Sequence, residues 1–268
     1  MVMKKIMVGL WLAALLLIAI PGYVYSAEEN ADNMFKVFRV AHAGGGIDGV
    51  TYTNSYDALD HNLKKGFKYF EIDFSYTADN QLVCLHDWRD SFKRSFGSFK
   101  EKKPTLAEFK QLVEEKSRFK KCTLDGLAEW MKKNPSAYIV TDIKPENRKF
   151  HNALRIMAET LPNSLNRVIP QIYYPKQIRK VKKLGFKQVI WTLYRYSGSD
   201  AEVLAMVDTL EPPIAVTMPH ERGLTALPKK LQERGVPSYV HTINAKAEKD
   251  QLINSFHVSE IYTDFLVD

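Results

Sequence analysis

The sequence predicts a (β/α)8 barrel, a closed ring of parallel strands inside a ring of helices. Short apolar runs alternate with amphipathic stretches through the second half of the chain, and eight such runs fit into the roughly 240 residues that follow the leader. A doubly wound open sheet is the alternative. A β-hairpin outgrowth follows the second barrel strand, and a basic insert precedes the third.

In chain order, the first strand covers 36–41 and ends at His42-Ala43-Gly44-Gly45-Gly46, where glycines either let backbone approach a ligand or simply make a turn. Asn54 or Ser55 caps a helix with Tyr56, Leu59 and Leu63 on one face and Gly66 as its stop. The second strand covers 69–74. Ala78-Asp79-Asn80-Gln81 is turn chemistry, and apolar residues 82–85 return antiparallel, because so short a gap can only close a hairpin. Thr105 and Glu108 form a capping box for a helix carrying Leu106, Phe109, Leu112 and Val113. A second helix carries Leu124, Leu127, Trp130 and Met131 and ends at Asn134-Pro135. Beyond it, strands at 137–143, 168–172, 188–193, 214–217, 238–243 and 260–263 alternate with helices. One helix is opened by Pro175 and closed by Gly185, and another is capped by Asp200.

The chemistry concentrates around the hairpin. Glu71 and Asp73 are two apart in a strand, so both carboxylates point to one side. Such a pair is tolerated when a cation lies between the two acids. With Asp79 and Asn80 as a two-residue turn, His86 falls directly opposite Asp73. Functional positions in this fold lie at the C-terminal ends of strands. His42 ends the first, Glu71 and Asp73 the second, Asp142 and Lys144 the third, and the hairpin returns His86 to the same rim. Three carboxylates without cysteine suit a hard divalent cation, Mg2+ or Ca2+. Two imidazoles suit acid and base work near neutral pH, and Lys144 suits an anion whose charge grows during reaction. Each residue alone has a plain structural account, as when Asp142 merely pairs with Lys144. Six of them at successive strand ends favour phosphodiester cleavage.

The leader and composition bound the setting. Lys4 and Lys5 precede an uncharged apolar run over 6–20, followed by Pro21-Gly22 and small residues up to Ser26-Ala27. Residues 1–27 therefore read as a secretory signal peptide, or else an N-terminal membrane anchor, with the barrel domain over 28–268. The expected location is extracytoplasmic, after a polar linker at 28–33. Removing the two leader lysines lowers the formal net charge from +7 to +5. The segment 93–121 holds ten Lys or Arg against four acids, so the excess charge is local. It is a solvated face, or a lid for an anionic substrate, membrane or cell-wall surface, a role that Phe92, Phe96 and Phe99 favour. Confined charge without a recognition module argues against nucleic acid. A monomer is expected. Cys84 and Cys122 are the only cysteines; export permits a disulfide, but Cys84 reads equally well as a small apolar residue beside the site.

The strings Val40-Ala-His42-Ala-Gly44, Thr53-Asn54-Ser55, Glu71-Ile-Asp73, Thr77-Ala-Asp79, Val83 to His86-Asp87 and Asp142-Ile-Lys144 resemble the glycerophosphodiester phosphodiesterase family, within the phosphatidylinositol-phospholipase-C-like superfamily. Arg94, Gln171, residues 239–244 and Tyr262-Thr263-Asp264 echo it further on. The resemblance implies a barrel enzyme in which His42 and His86 act as acid and base. It also implies that Glu71, Asp73 and Asp142 bind the cation, and that Lys144, Asn54 and Gln171 meet the substrate, a small-molecule or lipid phosphodiester. Ala43 stands where the family typically has Arg, and Asp142 where it usually has Glu. Asp-x-Lys is similar to the spider-toxin sphingomyelinase D group, which makes a phospholipase of that kind the alternative, beside a catalytically silent barrel that binds phospholipid or polymer. His241 stands where the family usually has Trp and is read as structural in preference to a substrate contact.

Overall fold

Eight apolar runs become eight parallel strands: β1 (Val40–Ala41), β2 (Tyr69–Tyr76), β4 (Tyr138–Asp142), β5 (Val168–Ile172), β6 (Val189–Thr192), β7 (Ile214–Pro219), β8 (Ser238–His241) and β9 (Glu260–Thr263). The order β1-β9-β8-β7-β6-β5-β4-β2 is closed by pairing of β1 with β2, which makes the predicted (β/α)8 barrel. The computed structural model describes residues 35–97, 102–144 and 149–267; the leader at 1–27, the linker at 28–33 and Phe99 lie outside the described residues.

Packing inside the ring follows from the period of two. Val40, Tyr69, Val140, Ile169, Ile190, Ala215, Tyr239 and Tyr262, one from each barrel strand, form a single buried apolar layer. Small Ala215 leaves room for the tyrosines. The opposite face of each strand packs on the helices, where a larger apolar cluster includes Phe70, Ile72, Ile139, Trp191 and Val240. The first helix, α1 (Tyr56–Lys64), is capped by Ser55, whose hydroxyl accepts from the Ala58 N–H. Its Asn62 donates to the Gly44 and Gly46 carbonyls, and a Cβ on Gly45 would sit 2.3 Å from the Asn62 amide. Gly45 thus serves close packing on a helix.

Several boundaries differ from expectation. Strand β1 is only two residues long, and upstream of it Lys36 donates its N–H to the Gln188 side chain. Ser199, not Asp200, caps the helix Asp200–Val207, and Asp200 instead pairs with Arg222 at 2.8 Å. The hairpin register is also corrected. Strand β3 (Leu82–Cys84) pairs antiparallel with β2 so that Phe74 faces Cys84. Thr77 N–H donates to Gln81 O and Asn80 has φ +60°, so the turn has three residues, 78–80, ending on a left-handed Asn. One extra turn residue moves every pairing by one place, and Leu85, not His86, sits opposite Asp73.

The insert is an annex with its own core. Its Trp88, Phe92, Phe96 and Phe109 pack on Val83 and Leu85 of the hairpin. Phe92 and Phe96 are therefore core residues and not the face of a lid. The capping box at Thr105 is present at the start of Leu106–Lys116. A disulfide joins Cys84 to Cys122, settling the alternative left open by the sequence. Cys122 N–H also donates to the Asn54 carbonyl, and Tyr56 N–H to the Lys120 carbonyl, so the far end of the insert grips the loop after β1. With the cysteines 38 positions apart, the chain-entropy model assigns the bridge about 4 kcal/mol. Cys84→Ser with Cys122→Ser is expected to lower the urea-unfolding free energy by roughly that amount.

Candidate active site

Two residues beyond the apolar layer, each strand delivers its next inward side chain: His42, Glu71, Asp142, Gln171, Thr192, Thr217, His241 and Asp264. All eight are polar. Six of them, His42, Glu71, Asp142, Gln171, Thr192 and His241, floor a cleft of about 840 Å³ at the C-terminal mouth, walled by the following inward layer, including Asp73 and Tyr173, and by His86.

Three buried carboxylates form one corner. Glu71, Asp73 and Asp142 each offer an oxygen, all within 4.8 Å of one another. Each is held from behind. Ala43, in the left-handed region at φ 49°, donates its N–H to Glu71 Oε2 at 2.8 Å. Asn54 donates from Nδ2 to Asp73 Oδ2 and accepts the Asp73 N–H, both at 3.0 Å. Tyr173 donates its hydroxyl to Asp142 Oδ1 at 3.0 Å. Burial and the neighbouring Asp73 charge push the Glu71 carboxyl up to about 8. An all-oxygen, multiply anionic donor set of this spacing fits a hard divalent cation. Lys144 reaches the same corner, with Nζ 2.6 Å from Asp142 Oδ2 and 3.5 Å from Asp73 Oδ1. Burial works against the Lys144 charge, but Asp142 and Asp73 overcome it and hold the ammonium protonated.

Both imidazoles are oriented by carboxylates. His42 Nδ1 lies 3.0 Å from Asp264 Oδ1, and Asn244 fixes Asp264 from the other side at 2.8 Å. His86 Nδ1 lies 2.9 Å from Asp87 Oδ2. A carboxylate only accepts, so Nδ1 carries the proton in each ring and Nε2 remains for the cleft. Burial alone would lower the His42 pKa. The hydrogen bond to Asp264 and the charges of Glu71, Asp264 and Asp73 outweigh it and leave that pKa raised. Burial likewise opposes the Asp87 charge, yet hydrogen bonds from His86, Ser91 and backbone N–H groups hold its carboxyl well below the usual range. Tyr52 stands edge-on to both imidazoles, with ring centroids 4.5 Å from His42 and 6.0 Å from His86.

Of the residues singled out in the sequence, His42, Glu71, Asp73, His86, Asp142, Lys144 and Gln171 line this cleft. Asn54 stands behind it, 1% exposed, with its amide used by Asp73. His86 arrives by leaving the hairpin after Leu85, not by facing Asp73 across it. Sequence reasoning missed Tyr52, which occupies a left-handed loop position (φ 56°) that no periodicity marks. It quoted Asp264 without a role, although Asp264 follows Tyr262 by the same two-residue step that leads from Tyr69 to Glu71.

Lys121, counted in the basic insert, is 6% exposed and gives its ammonium to the Thr53 carbonyl. Burial, aided by Arg94 and opposed by Asp73, pushes its pKa down from 10.5 to about 8. Between these values the unfolded chain holds a proton that the folded chain has released, so stability rises with pH; the gain is complete above 10.5 and lost as pH falls through 8. Wild type is expected to gain about 2 kcal/mol on Lys121→Met between pH 7.5 and 9.5, measured by urea unfolding.

A barrel with this mouth acts on phosphoric diesters, and the protein is a hydrolase of that class. It belongs to the glycerophosphoryl diester phosphodiesterase family, whose model matches residues 42–267. Solved structures share the fold. A glycerophosphoryl diester phosphodiesterase from Parabacteroides distasonis aligns with TM-score 0.68 at 16% identity, covering 88% of this chain and 87% of its own. One from Thermotoga maritima gives 0.63 at 21%, covering 86% and 95%. An Oleispira antarctica phosphodiesterase in complex with the product sn-glycerol-3-phosphate gives 0.65 at 17%, covering 86% and 94%. No curated protein matches the sequence.

Proposed function

We propose that the protein is an exported phosphodiesterase that uses Mg2+ or Ca2+ and an imidazole pair to cleave glycerophosphodiesters or the related phosphodiester bonds of lipids and cell envelopes. The observation that carries this reading is the meeting, in one cleft, of three carboxylates within 4.8 Å and two imidazoles with carboxylate-held Nδ1 atoms. A cation held by Glu71, Asp73 and Asp142 would supply Lewis-acid stabilisation of phosphoryl oxygens. One imidazole takes the proton of the attacking hydroxyl or water through Nε2, while the other protonates the leaving alcohol oxygen. Lys144 neutralises charge that grows on the phosphorane oxygens. Asn54 keeps Asp73 aimed, and Gln171 meets the substrate from the opposite wall.

The disulfide supports an oxidising, extracytoplasmic setting, and the leader sequence points the same way. Exposed Tyr52, Tyr174, Tyr194 and Phe265 follow the ends of barrel strands, and amphipathic rings around a mouth suit a lipid or envelope substrate. The protein acts as a monomer in this reading. Incubation with glycerophosphodiesters, lysophospholipids and sphingomyelin, with Mg2+ or Ca2+, followed by phosphorus NMR, tests it. The expected result is phosphomonoester appearing with the free alcohol and stopping on EDTA addition. Binding without release of alcohol would leave a silent barrel and sink the enzymatic reading.

A further inference from the structure

Tyr52 lines the cleft beside both imidazoles. Its backbone lies in the left-handed region at φ 56°, where glycine or asparagine is at ease and a bulky side chain is strained. The residues that follow hold it there. Asn54 N–H donates to the Ala43 carbonyl at 3.0 Å, the Lys121 ammonium donates to the Thr53 carbonyl, and Thr53 Oγ1 meets Ser55 Oγ at 2.9 Å. The backbone thus asks for no aromatic residue at this position. What tyrosine adds is its side chain.

The surroundings of that side chain show which part of it is used. Its ring centroid lies 4.5 Å from that of His42 with the planes 86° apart, and 6.0 Å from that of His86 with the planes 88° apart. One ring therefore stands perpendicular to two others, a favoured arrangement of ring pairs at such distances. The Arg94 guanidinium is 5.8 Å from the Tyr52 ring centroid and donates to Ser91 Oγ at 2.8 Å. Ser91 Oγ in turn donates to Asp87, the carboxylate that holds His86. The Tyr52 hydroxyl makes no hydrogen bond to any described residue. Burial and the charges of Asp73, Asp264 and Glu71, opposed by Lys144, raise the phenol above its ordinary pKa, so it brings no charge to the pair.

A single hydrogen bond at Nδ1 pins one corner of an imidazole and leaves its tilt open, because the torsion about Cβ–Cγ is broad. His86 has the most room, with its side chain 34% exposed against 12% for His42. A perpendicular ring set against both removes that freedom from the two at once. We propose that Tyr52 is a positioning residue whose ring fixes the tilt of His42 and His86 toward the shared cleft, with no part played by its hydroxyl. The inference rests on the phosphodiesterase reading of that cleft and adds a residue that acts through the imidazoles, not on the substrate or the cation.

Two readouts on the full chain test it. The first is turnover of glycerophosphocholine or, failing that, lysophosphatidylcholine, with Mg2+. Misplacing a reacting group by about 1 Å costs on the order of 10²-fold, so Tyr52→Leu is expected to lower kcat about 30- to 100-fold with KM unchanged. Tyr52→Phe, which loses only the hydroxyl, should recover kcat to near the wild-type value. Tyr52→Asn, at ease in the left-handed backbone, supplies the Leu reading should Tyr52→Leu fail to fold. The second readout is carbon-13 relaxation of the imidazole Cε1–H groups, whose order should fall for both rings in Tyr52→Leu and hold in Tyr52→Phe. Wild-type kcat in Tyr52→Leu, a loss confined to KM, or a Tyr52→Phe variant as impaired as Tyr52→Leu would overturn the proposal, the last two by showing that the residue binds substrate. If neither ester is cleaved, the phosphodiesterase reading fails by itself and relaxation decides this one: rings loosened by Tyr52→Leu alone uphold it, and rings unmoved by it reject it.

Discussion

His86→Ala is expected to lower kcat on glycerophosphodiesters by about 10²- to 10⁴-fold, the usual contribution of a positioned general acid or base. His86 is well suited to the test because its loop can lose the imidazole without disturbing the barrel. The ring is partly exposed, its backbone lies beyond β3, and its partner Asp87 keeps the hydrogen bonds from Ser91 and the Arg89 N–H. Cation binding by calorimetry should therefore be unchanged in the variant, which separates loss of proton transfer from loss of the metal corner. A His86→Ala protein that keeps full, EDTA-sensitive turnover would remove His86 from the mechanism.

Glu71→Gln is expected to separate activity from stability in opposite directions. Burial and Asp73 raise the Glu71 carboxyl to about 8 from an ordinary 4.5. Between those values the unfolded chain releases a proton that the folded chain retains, so this group's contribution is complete below 4.5 and lost as pH rises to 8. Measured in EDTA at pH 7.5, Glu71→Gln should unfold with a free energy on the order of 2 kcal/mol above wild type. The same substitution removes one anionic oxygen donor from the cation corner, and cation-dependent turnover should fall about 10³-fold, the equivalent of roughly 4 kcal/mol of transition-state stabilisation. A variant that is both less stable without cation and still active would show that the carboxylates are not a strained cation site.

The barrel was legible because its strands are short, apolar and separated by helices with caps. Runs at 168–172 and 260–263 coincide with β5 and β9. The polar ring was legible only in part. His42, Glu71 and Asp142 announce themselves as charged or titratable groups in or at the end of apolar runs, whereas Thr192 and Thr217 look like ordinary strand threonines until the inward face is known. The hairpin register was not readable, since Ala78-Asp79-Asn80-Gln81 is compatible with a two- or a three-residue turn. Asn80 tolerates the left-handed conformation that the longer turn needs. Phe92 and Phe96 misled for a related reason: aromatic spacing marks a buried face but not what covers it, and here the cover is the insert itself.

The grip of the insert on the loop after β1 reaches the reaction without touching it. Asn54, which aims Asp73, is itself anchored through its carbonyl to Cys122, and Cys122 is bolted to the hairpin that leads into His86. Proton-transfer group and cation ligand thus share one brace. Recolouring the outer lysines of that annex should leave catalysis alone, whereas excising it would unseat an acid and an imidazole in a single stroke, even with every strand of the cylinder in place.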